Sequence, residues 1–235
     1  MIEFKELLNQ DTMLSGIELS HKVDKNGRFY HAVQRAANRD HIYDKELALY
    51  REHNLCRLCA INNVVIIFSV VMSNHTHDIL MAQSIEPISK VIRIVNSLVS
   101  KRQRKRHPQK YENGRKVFES EPYYRAIHDV VSLMVTTKYV YDNVKFIEQN
   151  NGFVPYSCTS FMENGILRKP YNRKVYTSLF GMTEKELCAL FAEMNIHEIR
   201  QFALERFKNW TQHDNDTLFK TDISQPWLQE PEWLV

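Results

Sequence analysis

The chain reads as an α+β protein: a central antiparallel sheet with helices packed on one face, followed by a C-terminal helical extension. Three observations point there. Strand-like and helix-like segments follow in the order strand, helix, strand, strand, helix, strand, helix, without the strict alternation of a parallel α/β fold. An apolar run, Val64 to Met72, is followed after Ser73-Asn74 by a second strand-like run, and Ser-Asn suits the turn between them. Long stretches rich in helix formers separate the strands, the first of them, residues 44–62, without Gly or Pro.

The elements follow in order. "DKNGRFYHAV" places Asn26-Gly27, a type I′ hairpin signal, ahead of an outgoing strand at 28–35. Residues 44–62, "DKELALYREHNLCRLCAIN", read as a helix. Residues 63–72 form a buried strand and 75–82 a second. "EPISKVIRIVNSLVSKRQRKR" sets Ile88, Val91, Ile92, Val95, Leu98 and Val99 at helical spacing, with Pro87 suited to the first turn. "VFESEPYYRAI" is a strand region interrupted at Pro122. Residues 129–150 read as a long helix despite β-branched residues that lower intrinsic propensity, ended by Gly152 and Pro155.

Composition bounds the function. A chain of 235 residues, 43% hydrophobic and 25% charged, is an ordinary globular composition. It contains no apolar run of the roughly 18 residues a membrane span needs. Its N-terminus lacks the apolar core of a signal peptide. With four cysteines it is no disulfide scaffold, and the reducing cytoplasm is the expected compartment. The net charge of +3 hides an asymmetry: residues 101–116 carry eight Lys or Arg against Glu112 alone, +7 in sixteen residues, which leaves the remainder at −4. So concentrated a basic segment suggests a polyanionic partner.

The motif that carries chemistry is "VMSNHTHDIL", residues 71–80. In a strand, residues i and i+2 share a face, so His75 and His77 project together. Two neutral imidazoles side by side suit one divalent cation, with a third ligand supplied from elsewhere.

"VVMSNHTHDIL" resembles the Met-Pro-Asn-His-U-His signature (U hydrophobic) of the HUH single-tyrosine transposases. "FYHAVQRAANRDHIY" at 29–43 is similar to that family's first strand and its Arg-rich continuation. "TKYVYDNVKFIEQNNGFVPYSCTSF" at 137–161 resembles its tyrosine helix and the segment after it. The REP-associated tyrosine transposases are the nearest subgroup, and the resemblance spans roughly residues 28–161. It implies the ferredoxin-like sandwich of HUH endonucleases in a catalytic domain at 1–161, with 162–235 as the helical extension. It implies an enzyme that nicks and rejoins single-stranded or hairpin DNA through a 5′-phosphotyrosine. Tyr139 is then the nucleophile, His75, His77 and Asn143 the metal ligands, and Mg²⁺ or Mn²⁺ the metal. Helical i, i+4 spacing lets Tyr139 and Asn143 point the same way. Tyr141 is a rival nucleophile, about 200° around the helix from Tyr139, so only one of the two faces the metal.

Three residues depart from the family pattern. Thr76 and Asp78 replace apolar residues, on the strand face away from the histidines, and Val144 replaces a proline, which lets the helix continue. Arg35, Arg39, Lys101, Arg102, Arg104, Lys105 and Arg106 are candidate DNA contacts that would hold phosphates without reading sequence. Tyr123 and Tyr124, with Arg125, either stack on extruded bases or pack in the sheet. Cys56-x-x-Cys59 lies in an apolar helical pattern and reads as buried thiols rather than a zinc site. The extension carries 9 basic and 11 acidic residues from Glu163 onward and so is no obvious DNA arm. Thr183 and Glu186 in it have capping-box spacing, and "IHEIRQFALERFKNW" is a second amphipathic helix, so a cap packed on the first domain is expected. Two classes of function stay open, an active transposase and a non-catalytic DNA-hairpin-binding protein of the same fold. A homodimer is left open as well.

Overall fold

The computed structural model describes residues 29–119, 121–151 and 180–210. The Asn26-Gly27 turn, the helix stop at Gly152 and Pro155, the segment to Phe161 and the 161/162 boundary lie outside them. The described elements are β1 (Phe29–Arg35), α1 (Lys45–Ile61), β2 (Val65–Val71), β3 (His75–Met81), α2 (Ile85–Arg106), β4 (Tyr123–Ile127), α3 (Val130–Asn151), α4 (Glu184–Glu193) and α5 (Ile196–Arg206). The four strands form one antiparallel sheet in the order β2-β3-β1-β4.

The apolar run becomes β2, with all seven residues buried. Ser73-Asn74 closes the β2–β3 hairpin: Met72 N–H donates to the His75 carbonyl at 2.8 Å. The chain after β1 clasps this turn, since the N–H groups of Ile42 and Tyr43 both reach the Ser73 carbonyl at 2.9 Å and that of Ala36 reaches Asn74 at 2.8 Å. The strand end that carries His75 is therefore held from two sides. Asp44 caps α1 by accepting from Leu47 N–H at 2.8 Å. Pro122 separates Phe118, which makes an isolated bridge to Ala36, from β4.

The sheet is covered on both faces, not on one. Strand alternation and register set Phe29, His31, Val33 and Arg35 of β1 on the same face as Met81, Ile79, His77 and His75 of β3. The opposite face carries Gln34, Thr76 and Asp78. There α1 and α2 pack: Arg51 of α1 bonds Asp78 and Thr76, and Asn96 of α2 donates to Gln34 at 2.7 Å. The histidine face meets α3 instead. That second layer explains why β3 is buried along both sides from Thr76 to Met81.

Asp129 starts α3 by accepting from Ser132 N–H at 2.7 Å. The helix survives its β-branched residues because its apolar side is core, with Leu133, Met134 and Val140 fully buried. Thr137 also returns its hydroxyl to the Leu133 carbonyl at 2.7 Å. Beyond it, α4 opens on the capping box expected at Thr183 and Glu186, and Asn195 and Glu198 build a second at α5. Tyr141 of α3 meets Phe191 of α4 with ring centroids 5.6 Å apart, and α5 packs along α3.

The two polar departures on β3 are accounted for in this packing. Arg51 and Asp78 are 0% and 1% exposed. The guanidinium grips the carboxylate in a fork, at 2.5 and 3.2 Å, and also donates to Thr76 Oγ1 at 3.2 Å, while Ser69 Oγ donates to Asp78 at 2.7 Å. A charge pair this deeply buried is tolerable only because nearly every polar valence is met.

Candidate active site

Three imidazoles and one phenol cluster on the histidine face. His75 and His77 have ring centroids 4.9 Å apart. His31, from the neighbouring strand, lies nearly parallel to His77 at 5.1 Å. Tyr139 of α3 meets this group edge-on, with its ring centroid 5.7 Å from that of His77 and 6.2 Å from that of His31. Tyr141 does not share the site; it faces Phe191. Helical phase has sent the two tyrosines to opposite sides of α3.

Asn143, one turn after Tyr139, donates from Nδ2 to the Tyr139 carbonyl at 2.9 Å. Burial pushes the Tyr139 phenol up to about 12, while a hydrogen bond from Asn143 and the positive field of Arg35 pull it back down. At neutral pH the phenol is therefore protonated at rest, and a nearby cation is what would make it a stronger nucleophile.

The histidines are held neutral. Burial lowers His75 to about 4, with Arg35 adding to the shift. His31 falls to about 3, through burial and then Arg125. His77 lies well below its ordinary value through burial first, then through its two histidine neighbours and Arg35. Neutral imidazoles are what a cation site requires. His75 donates from Nδ1 to Asn74 Oδ1 at 2.6 Å, which leaves its Nε2 as a bare lone pair. His77 uses Nδ1 toward His31, and its buried Nε2 makes no hydrogen bond at all. An orphaned buried ring nitrogen beside a second free imidazole nitrogen fits a divalent cation. Among the described residues no three His, Cys, Asp or Glu side chains form a metal-holding group. Among the described residues a third protein ligand would be of another kind, and the amide of Asn143 is the candidate beside the phenol.

His31 is the member of the cluster that the motif does not contain. The alternation His31, Val33, Arg35 places it on one face of β1, but only the β1–β3 register brings that face alongside the histidine pair.

A family model described as "Transposase IS200 like" matches residues 25–143, just over half of the chain. The chain belongs to the IS200-like transposase family.

Two solved structures resemble this transposase. One is a protein described as a transposase from Deinococcus radiodurans R1, 15% identical, with a TM-score of 0.36, covering 52% of this chain and 94% of its own. The other is a REP-associated tyrosine transposase bound to a REP hairpin, 14% identical, with a TM-score of 0.41, covering 70% of this chain and 88% of its own. No protein with a curated description matches the chain.

Around the histidine–tyrosine cluster, the cations expected to meet DNA fall into two groups. Arg35, Arg39, Lys101, Arg104 and Lys105 are exposed. Arg35 pairs with His75 in register and so rims the histidine face, as do Tyr123 and Arg125 of β4, which lie opposite Val33 and His31. Tyr124 points to the other face. Arg102 and Arg106 are engaged with acids at the start of α1: Arg102 with Glu46 at 2.5 Å, Arg106 with Asp44. Asp40 takes both Lys110 and Arg115, at 3.2 and 3.0 Å. The basic segment is thus partly neutralised within the fold, though exposed ion pairs are worth only about 0–1 kcal/mol and exchange readily for phosphate. Cys56 and Cys59 are free and buried, and burial pushes both thiols up, as expected of structural cysteines. Among the described residues no helix is long and apolar enough to cross a membrane.

Proposed function

We propose that this transposase nicks and rejoins single-stranded, hairpin-bearing DNA through a covalent phosphotyrosine on Tyr139. The observation that carries the reading is the edge-on packing of the Tyr139 ring against His77 and His31, beside two imidazoles whose Nε2 atoms make no hydrogen bond. A nucleophile buried against a ready pair of cation ligands has little structural purpose and a clear chemical one.

His75, His77 and Asn143 would hold Mg²⁺ or Mn²⁺, and the bound cation would supply charge against the scissile phosphate and a lowered phenol pKa. The chain's own residues do the rest. Burial between sheet and helix fixes the direction of the Tyr139 hydroxyl and limits competing water. As the phenol oxygen bonds to phosphorus its proton passes to solvent. The P–O3′ bond breaks, and the 3′-oxygen leaves as a hydroxyl once protonated. The 5′-phosphate stays esterified to Tyr139, so its bond energy is conserved for attack by a later 3′-hydroxyl. Arg35, Arg125 and the exposed cations of α2 would hold flanking phosphates, with Tyr123 as a stacking platform at the rim.

The test is adduct mapping. Incubation with a single-stranded hairpin oligonucleotide and Mg²⁺ or Mn²⁺, then denaturing electrophoresis and peptide mass mapping, should place the DNA on Tyr139. Cleavage without any covalent species would show that an activated water is the nucleophile. Hairpin binding without cleavage, with either metal, would make the chain a DNA-binding protein of this fold.

A further inference from the structure

The contact between His31 and His77 calls for its own explanation. Nε2 of His31 and Nδ1 of His77 lie 2.9 Å apart, both rings are buried, and 46 residues of sequence separate them. A hydrogen bond between two neutral imidazoles needs one N–H and one lone pair. There are two ways to meet that need. If His31 carries the proton on Nε2, His77 must be protonated on its own Nε2. That buried N–H has no acceptor and closes the ring to a cation. If His77 carries the proton on Nδ1, its Nε2 is a lone pair that is equally unpaired among the described residues, at about 1–3 kcal/mol, but that a cation can meet, and His31 is the acceptor behind it.

The second arrangement matches what is built around His75. There Asn74 Oδ1 can only accept, so His75 must be protonated on Nδ1 and present Nε2. The two histidines of the motif would each have one outer acceptor, an amide oxygen behind one and an imidazole nitrogen behind the other. A buried imidazole is a costly way to fill space on an apolar sheet face, where Ile79 and Met81 already show what packing alone selects. Its orientation edge-on to Tyr139 also makes it a spacer that sets the distance of the phenol from His77.

We propose that His31 is a positioning residue: it accepts the Nδ1–H of His77 and locks that ring in the tautomer whose Nε2 lone pair faces a divalent cation. The role rests on the metal-dependent reading above, and it concerns a residue that touches neither cation nor DNA. Partners of this kind behind metal-binding histidines typically change metal affinity by about 10–100-fold when removed.

The experiment uses the full-length protein and reads tautomers directly, by long-range ¹H–¹⁵N correlation spectra of the histidine rings without metal, followed by Mn²⁺ titration monitored by electron paramagnetic resonance. Two variants accompany the wild type. His31→Phe keeps ring volume and offers no acceptor; His31→Gln offers an amide oxygen. The expected result is Nδ1–H on His77 in wild type and in His31→Gln, a mixture or a reversal in His31→Phe, and Mn²⁺ affinity lowered at least 10-fold in His31→Phe alone. Wild-type protein with His77 in the Nε2–H form overturns the proposal whether or not the variants fold, and so does a folded His31→Phe that binds Mn²⁺ like wild type. Wild-type protein that shows Nδ1–H on His77 and binds no Mn²⁺ refutes the metal in the proposed function while supporting the tautomer lock.

Discussion

Asp78→Leu should destabilise the protein severely and yet leave the chemistry of the histidine face intact. Arg51 and Asp78 are shielded from solvent almost completely, and the carboxylate answers two guanidinium nitrogens and the Ser69 hydroxyl. Removing it strands a guanidinium that cannot give up its proton. Breaking a buried pair from one side costs about 3–5 kcal/mol, and the lost hydrogen bond from Ser69 adds about 1 kcal/mol. Burying the new Leu returns at most about 2 kcal/mol, so a net loss of about 3 kcal/mol is expected. That is a large share of the roughly 5–15 kcal/mol by which a domain is stable. Arg51→Met with Asp78→Leu removes both charges and keeps comparable volume, so the double variant should lie within about 1 kcal/mol of wild type or above it. Urea unfolding of the four proteins, followed by circular dichroism, closes the cycle, and a coupling above about 2 kcal/mol is expected. An Asp78→Leu protein within about 1 kcal/mol of wild type would refute the reasoning, as would a double variant no more stable than the single. Folded variants should still bind Mn²⁺, because Asp78 and the histidines point to opposite faces.

Tyr139→Phe should bind hairpin DNA with little change and form no adduct, whereas Tyr141→Phe should keep adduct formation; an adduct that maps to Tyr141 would reverse the phase of α3. His75→Ala should fold, since a strand-end histidine contributes little core, but lose Mn²⁺ binding and cleavage; unchanged cleavage with Mg²⁺ would remove His75 from the site. Neutralising Lys101, Arg104 and Lys105, three exposed cations of α2, should flatten the salt dependence of single-strand binding by about 0.7 in log–log slope for each phosphate no longer neutralised, and identical slopes would mean that they face only solvent. Stability should fall as pH drops from 6.5 toward 4: the folded protein holds His31 and His75 at about 3 and 4, so the unfolded chain takes up protons first. Each such histidine contributes a slope of about 1.4 kcal/mol per pH unit in that window, and His31→Gln should make the measured curve shallower.

The strands and helices were legible because their signals are local. Val64–Met72 is a short, β-branched apolar run that reads as a buried strand, and Ser73-Asn74 suits the turn to the next. The pairing of His75 with His77, and the phase that separates Tyr139 from Tyr141, follow from periods of 2 and 3.6 residues. What the sequence hid is whatever depends on which strand lies beside which. His31 stands in a plain alternating strand, and nothing local marks it; its role appears only when β1 inserts between β3 and β4. Thr76 and Asp78 look like damage to an apolar pattern until Arg51, on a helix some 25 residues earlier, is seen to face them. The expectation of helices on one face failed for a related reason. Placing Thr76 and Asp78 opposite the histidines already required a partner on each side, since both sets are polar and both are buried. The tyrosine helix had to take the face the other helices left.

That placement gives α4 and α5 a mechanical meaning. α3 lies between the histidine face of the sheet and these two helices, so its orientation is fixed from both sides. On the inner side the Tyr139 ring rests on His77 and His31; on the outer side Tyr141 rests on Phe191, and α5 runs along the helix. An α3 free to roll on the sheet would carry the Tyr139 oxygen away from the histidine pair, because a rotation of about 30° at a side-chain radius of about 6 Å displaces it by about 3 Å, and the proposed chemistry would tolerate less than about 1 Å. Packing on both sides suppresses that roll. On the proposed function, the described part of the C-terminal extension would act by holding the helix of Tyr139 in phase, a role that needs apolar surface against α3 and no excess of positive charge, which is the composition it has.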